Sequence, residues 1–273
     1  MSTVRSVPRY VAQAALATTL LILSSQATAF EIYKRAWVDI TANLDGTHNS
    51  QISAADTSQN INILQLSATA KESSPTLGFG ANLPWGLIVE YTNYNQQASH
   101  LIKGSQLSTR CFRIGFKTFC AGLTTTRDGD INWSIKHNKL SLLKKAIDTD
   151  TWNIYLGAGA DFMSGTMTLV SSGTSETASG AIPLPFFAAG IDWRFASRTY
   201  VTSRIHYVNL AKSGTGYTNT MIEAEIKRLV TKNLSASVGI RQSITEFDYS
   251  SSSQISSLDW KGQTIYLKVT AGY

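Results

Sequence analysis

Past residue 29 no stretch of the chain approaches 18 consecutive apolar residues. A helix needs about 20 to cross a bilayer, so a helical membrane protein is excluded. A barrel is not excluded, because its strands are short and apolar on one face only. Charge is scarce too, at 15% of residues where a soluble domain carries about 25%. Cysteine is nearly absent, with Cys111 and Cys120 alone. Neither G-x-G-x-x-G nor G-x-S-x-G occurs, nor any clustered His, Cys, Asp or Glu at ligand spacing. These gaps remove the usual grounds for nucleotide binding, an α/β-hydrolase elbow or a metal centre, and no cofactor is expected.

Residues 1–29 read as a secretory leader. Arg5 and Arg9 precede the apolar run Val11–Leu23, and Ala27-Thr28-Ala29 is a small-x-small cleavage site. The mature unit is then 30–273. Removing the two arginines takes the formal net charge from +6 to +4, too mild to argue for nucleic acid without a basic cluster. In an oxidising compartment the pair in "RCFRIGFKTFC" is expected to bridge, Cys111 to Cys120 across a turn near 115–117. The rival is a metal site, for which no nearby histidine speaks.

What the sequence does have is alternation. "TIYLKVTAGY" sets Ile265, Leu267, Val269, Ala271 and Tyr273 against Thr264, Tyr266, Lys268 and Thr270. "RAWVDITAN", "WGLIVEYTN", "TWNIYLGAGADF", "FFAAGIDWRF", "YVTSRIHYV", "IEAEIK" and "LSASVGIRQ" each do the same, one face apolar and the other polar or glycine. Period two is the mark of a strand between unlike surroundings. Short turns at 195–199 and 230–233 alternate with polar stretches at 44–58, 171–180, 211–216 and 249–258, read as long loops. That asymmetry describes a closed antiparallel transmembrane β-barrel, since a bilayer demands that every backbone polar group be paired within the protein. Twelve strands are predicted: 33–43, 59–71, 85–97, 105–115, 118–127, 132–143, 151–170, 181–195, 199–210, 217–229, 234–248 and 259–272. Ten span if the 105–127 hairpin stands outside, and 139–146 could be a short helix.

A last strand ending on an aromatic resembles the assembly signal of bacterial outer-membrane barrels. "PLPFFAAGIDWRF", "VGIRQSITEFDYS" and "LDWKGQTIYLKVTAGY" also resemble proteobacterial barrels of ten to twelve strands that carry no agreed activity. The resemblance covers about 180–273. It implies an outer-membrane location, contact with lipopolysaccharide and other outer-membrane lipids, and delivery by the barrel-assembly machinery through strand 264–273.

The inward face carries Asp39, Glu90, Asp161, Asp192, Glu223 and Glu225, and Arg35, Arg194, Arg204, Lys227, Arg241 and Lys268, with His206 among them. Buried charges need partners, so a narrow lumen with charges paired across it is expected. The alternative is a hydrated pore whose charges never meet. Outward, Trp85, Trp152, Trp193 and Tyr273 belong at the headgroup level. Enzymatic chemistry finds thin support. A barrel lipase pairs a histidine with a serine two residues on, and of His48, His100, His137 and His206 only His48, with Ser50, has one. That pair is placed in a polar loop. An omptin-type protease would need Asp-His and Asp-Asp pairs at the outer rim, and His206 lies mid-barrel. A non-enzymatic barrel with a structural or interaction role is expected. A narrow solute channel and a lipid-modifying enzyme are the alternatives.

Overall fold

The structure, a computed structural model, describes residues 36–56, 61–72, 75–102, 112–114, 117–119, 128–171, 174–212, 214–250 and 254–272. The leader, Arg35, Cys111, Cys120 and Tyr273 lie outside the described residues. The strands are β1 (Ala36–Asp56), β2 (Ile61–Glu72), β3 (Thr76–Leu83), β4 (Leu87–Ile102), β5 (Phe112–Ile114), β6 (Lys117–Phe119), β7 (Gly129–Asp148), β8 (Trp152–Ser171), β9 (Thr174–Ala196), β10 (Thr199–Lys212), β11 (Thr215–Leu229), β12 (Leu234–Ser250) and β13 (Gln254–Gly272).

Each strand pairs antiparallel with its neighbours, and the sheet closes where β13 meets β1, from Trp37↔Gly272 to Asp56↔Gln254. β2 and β3 share one place in the wall: β2 covers the far half of β1, β3 the near half, and both reach β4. The barrel therefore has ten strand positions, an even number, as antiparallel closure of a bacterial outer-membrane barrel requires. The count is ten rather than twelve because β5 and β6 form a separate two-stranded sheet between β4 and β7. This is the ten-strand variant left open by the sequence.

Side chains alternate as the period-two pattern demands. Val38 and Ile40 are half exposed on the outside, while Trp37 and Thr41 are buried inside. Leu156, Phe162, Phe187, Ile205, Ile226, Ile240 and Val269 continue the outer apolar belt. A helix over 139–146 is not formed. Those residues belong to β7, with Leu140 and Leu142 outward and Ser141 and Leu143 buried inward. Ladders to β4 and β8 on either side outweigh the helix-like run Leu140–Leu143.

The polar stretches 44–58, 171–180, 211–216 and 249–258 are largely strand rather than loop. β8 and β9 rise together to Ser171↔Thr174, and β1 pairs with β13 up to Asp56. Apolar–polar alternation fails there because the outer face no longer meets lipid once the wall clears the bilayer. Ser and Thr still suit a strand and tie it across, as in Thr168 to Thr177 at 3.0 Å and Ser53 to Ser257 at 2.8 Å. The opposite end turns tightly, through Pro84–Gly86, 149–151, 197–198 and 230–233.

Candidate functional site: the lumen

The inward face of β9–β13 and β4 gathers the ionisable groups. Glu225 accepts from Lys268 at 2.8 Å, Thr202 at 3.1 Å, Ser237 at 3.2 Å and Tyr266 at 3.4 Å, with Lys227 at 3.3 Å. Arg204 donates to Asp192 at 2.9 Å and lies 3.9 Å from Glu90, with its guanidinium 4.7 Å above the Tyr155 ring. Arg241 binds Glu223 and lies 5.4 Å from the ring centres of both Tyr94 and Tyr266. Asp39 accepts from Thr270 at 2.5 Å, across the β1–β13 closure. Arg194 lies against Tyr200. Asp161 meets His137 at 2.7 Å.

Asp192, Glu223 and Glu225 are thus each held by a cation one or two strands away, which follows from register. Arg241 and Glu223 are direct partners of the β11–β12 ladder. Arg204 is flanked by Gly190 on β9 and Glu223 on β11. Gly190 has no side chain to block the guanidinium, so Arg204 reaches past it to Asp192. His206 does not join Asp192 or Glu223. It is buried against Phe186, ring centres 5.0 Å apart, and pairs with Ala188 and Met221.

A second set was not singled out from the sequence. His137 is held by Asp161 and, at 2.9 Å, by Gln96, and stacks on Tyr94 at 4.5 Å. Lys139 is buried beside the Tyr94 and Phe186 rings, with its ammonium 3.7 Å from Met221 Sδ. The signal was available: with Leu140 and Leu142 facing lipid, period two turns His137 and Lys139 inward.

Higher in the barrel, β4 carries polar outward residues from Asn93 to Ser99, so this part of the wall stands clear of the bilayer. His48 is strand-bound and buried, not in a loop. It contacts Thr264 at 3.0 Å and sits edge-on to Trp260. Ser50 meets His100 rather than His48, at 3.2 Å, and Trp133 donates to the same His100 Nε2 at 3.2 Å. An indole N–H only donates, so this nitrogen is an acceptor. Burial drives the His100 pKa down to about 4, which agrees. The pairing follows from what each side chain meets: His48 and Ser50 share the inner face of one strand, but the His48 ring turns to Thr264 and Trp260 on β13, while β4 brings His100 to Ser50.

At the short-turn end Trp152 and Trp193 are cross-strand partners stacked at 5.3 Å, and Trp85 is 83% exposed in the Pro84–Gly86 turn. Cys111 and Cys120 lie outside the described residues, although Phe112 and Phe119 beside them are partners in β5–β6.

The fold and lumen define an outer-membrane-type β-barrel. No protein-family model matches the chain, and the search of curated proteins finds no relative. Among solved structures, the outer-membrane protease OmpT of Escherichia coli superposes with TM-score 0.55 at 9% identity, covering 92% of this chain and 100% of that one. The transport unit of the E. coli autotransporter AIDA-I gives 0.43 at 9% identity, covering 98% of this chain and 100% of that one. The NalP translocator domain of Neisseria meningitidis gives 0.39 at 10%, covering 100% of both chains. At these identities the likeness to OmpT establishes the barrel and nothing of its chemistry.

Proposed function

We propose that this protein is an integral outer-membrane barrel whose lumen is sealed by ion pairs, and whose role is structural or interactive, carried by the wall and connections above the bilayer. The observation that carries the reading is the Arg204–Asp192 pair at 2.9 Å, where the carboxylate is wholly shielded from solvent. Together with the Glu225 cluster it leaves a mid-lumen cavity of about 60 Å³, lined by Asp39, Glu90, Glu223 and Lys268. That is room for a few waters and no solute. The outward apolar belt and tryptophans support placement in the outer membrane, with its lipids, including lipopolysaccharide, as neighbours. The alternating strand β13 supports delivery by the assembly machinery.

Planar-bilayer recording of the refolded protein tests the seal. The expected result is no stable channel, and a steady large conductance refutes it.

A hydrolase reading has one observation in its favour, the Ser50–His100 contact. Ser50 is 0% exposed, so no substrate carbonyl reaches its hydroxyl in this conformation. Fluorophosphonate labelling of wild type but not Ser50→Ala would revive that reading.

A further inference from the structure

The wall parts between β9 and β10. Their ladder runs from Thr199↔Ala196 to Tyr207↔Phe187 and stops. β10 continues to Lys212 paired with β11, and β9 continues upward paired with β8. Among the described residues, none from 208 to 212 pairs with β9.

The sequence accounts for the break. Pro183 and Pro185 sit directly above Phe187 on β9, and proline has no N–H for a ladder. The β8 side runs unbroken through Phe162↔Pro183 and Ala160↔Pro185. The missing donors therefore belong to the β10 side, because alternate residues of an antiparallel strand serve opposite neighbours.

Behind the parting the lumen wall is apolar. Leu184 and Val208 are buried at 2% and 3% exposure in a cluster with Phe186 and Tyr217. One step higher on the same inner faces, Ile182 of β9 is 49% exposed and Leu210 of β10 is 37% exposed. Other apolar side chains of the lumen, such as Ile88 and Leu143, are fully covered, so bare aliphatic side chains here call for an apolar occupant.

Outside, Phe187 is 75% and Tyr207 is 42% exposed immediately below the parting. They stand at the upper edge of the lipid-facing belt, where β10 turns polar at Asn209. Exposed apolar side chains thus stand on both sides of the parting, Phe187 and Tyr207 on the belt and Ile182 and Leu210 on the lumen wall.

We propose that the parting between β9 and β10 is a lateral port that admits an acyl chain of an outer-leaflet lipid onto Ile182 and Leu210, above the buried Leu184 and Val208. The occupant follows from position: the belt already lies against acyl chains, and exposed apolar side chains stand just inside the parting. The port lies above the ion-paired plug, so it requires no passage through the barrel.

The test uses the full-length protein in phospholipid vesicles in which one acyl chain ends in a photoactivatable diazirine, followed by mass-spectrometric mapping of the adducts. Adducts on Ile182 or Leu210, together with those on Phe187 and Tyr207, are expected. Adducts confined to outward-facing residues overturn the port. In a Pro183→Thr/Pro185→Thr variant that retains heat-modifiable migration, the ladder can extend and the inward adducts should be lost. Their persistence overturns this parting as the route. Where the double variant does not fold, each single variant serves the same comparison, and the wild-type map decides the main question alone. A free diazirine fatty acid that labels Ile182 or Leu210 when the phospholipid does not would replace the bilayer lipid with a soluble amphiphile and refute the occupant.

Discussion

Trp37 lies across Gly80 of the neighbouring strand so closely that a Cβ on Gly80 would fall 2.1 Å from Cζ2 of the indole. The same arrangement recurs inside the barrel, Phe186 over Gly159 and Tyr266 over Gly239. A bare backbone on one strand receives a ring from the next, which fills the lumen without widening the wall. Gly80→Ala and Gly239→Ala should therefore lower stability by about 1–3 kcal/mol, the usual cost of overpacking. Gly157→Ala should cost more, because its Cβ would meet the Leu142 carbonyl oxygen at 2.0 Å, and backbone cannot step aside. Gly180 has nothing within 4 Å, so Gly180→Ala should be neutral. Urea midpoints of the refolded variants, read by heat-modifiable migration, give the order.

Glu225 anchors two cations, Lys268 at 2.8 Å and Lys227 at 3.3 Å, with all three side chains nearly inaccessible. Removing the acid leaves uncompensated buried charge, so Glu225→Gln should destabilise by about 3–5 kcal/mol. Adding Lys268→Met to that variant should recover part of the loss, since the strongest orphan is then gone. The double-mutant cycle in urea measures the coupling. Strict additivity of the two substitutions would contradict a shared cluster.

The belt was legible in the sequence because lipid outside and charge inside make successive residues unlike. Ile265, Leu267 and Val269 against Lys268 and Thr270 show it most plainly. Above the bilayer that contrast vanishes, so the upper half of β1 and the upper ends of β9 and β13 read as loops. Pairings in the lumen were less legible than faces. Arg204 with Asp192 depends on the bare Gly190 between them, and Ser50 with His100 depends on β4 standing beyond β2 in the wall. Neither fact is local to a motif. The parting beside Pro183 and Pro185 needed the register itself.

Cys111 and Cys120 flank Phe112 and Phe119, which are partners in the β5–β6 hairpin. A bridge between them is expected in an exported chain. Alkylation of the denatured, unreduced protein should leave its mass unchanged, and after reduction two alkyl groups should add. Two additions without reductant would show free thiols. The hairpin forms no ladder with the barrel sheet, so Cys111→Ser/Cys120→Ser should leave heat-modifiability intact.

His100 gives the pH dependence its sign. Burial depresses its folded pKa to about 4, whereas an unfolded histidine titrates near ~6.5. The unfolded chain therefore takes up the proton first as pH falls. The contribution of His100 is fully present above that unfolded value and is lost progressively down to about pH 4. Since Trp133 already donates to Nε2, a proton there would also break that hydrogen bond and displace the Ser50 hydroxyl. The urea midpoint of the wild type should fall between pH 7 and pH 5. His100→Gln keeps a hydrogen-bonding side chain but cannot titrate, so its midpoint should fall less over the same interval. Every other side chain is common to both proteins, so the difference between the two slopes isolates His100. Parallel slopes would mean that the upper lumen is hydrated enough to protonate His100 at its ordinary value.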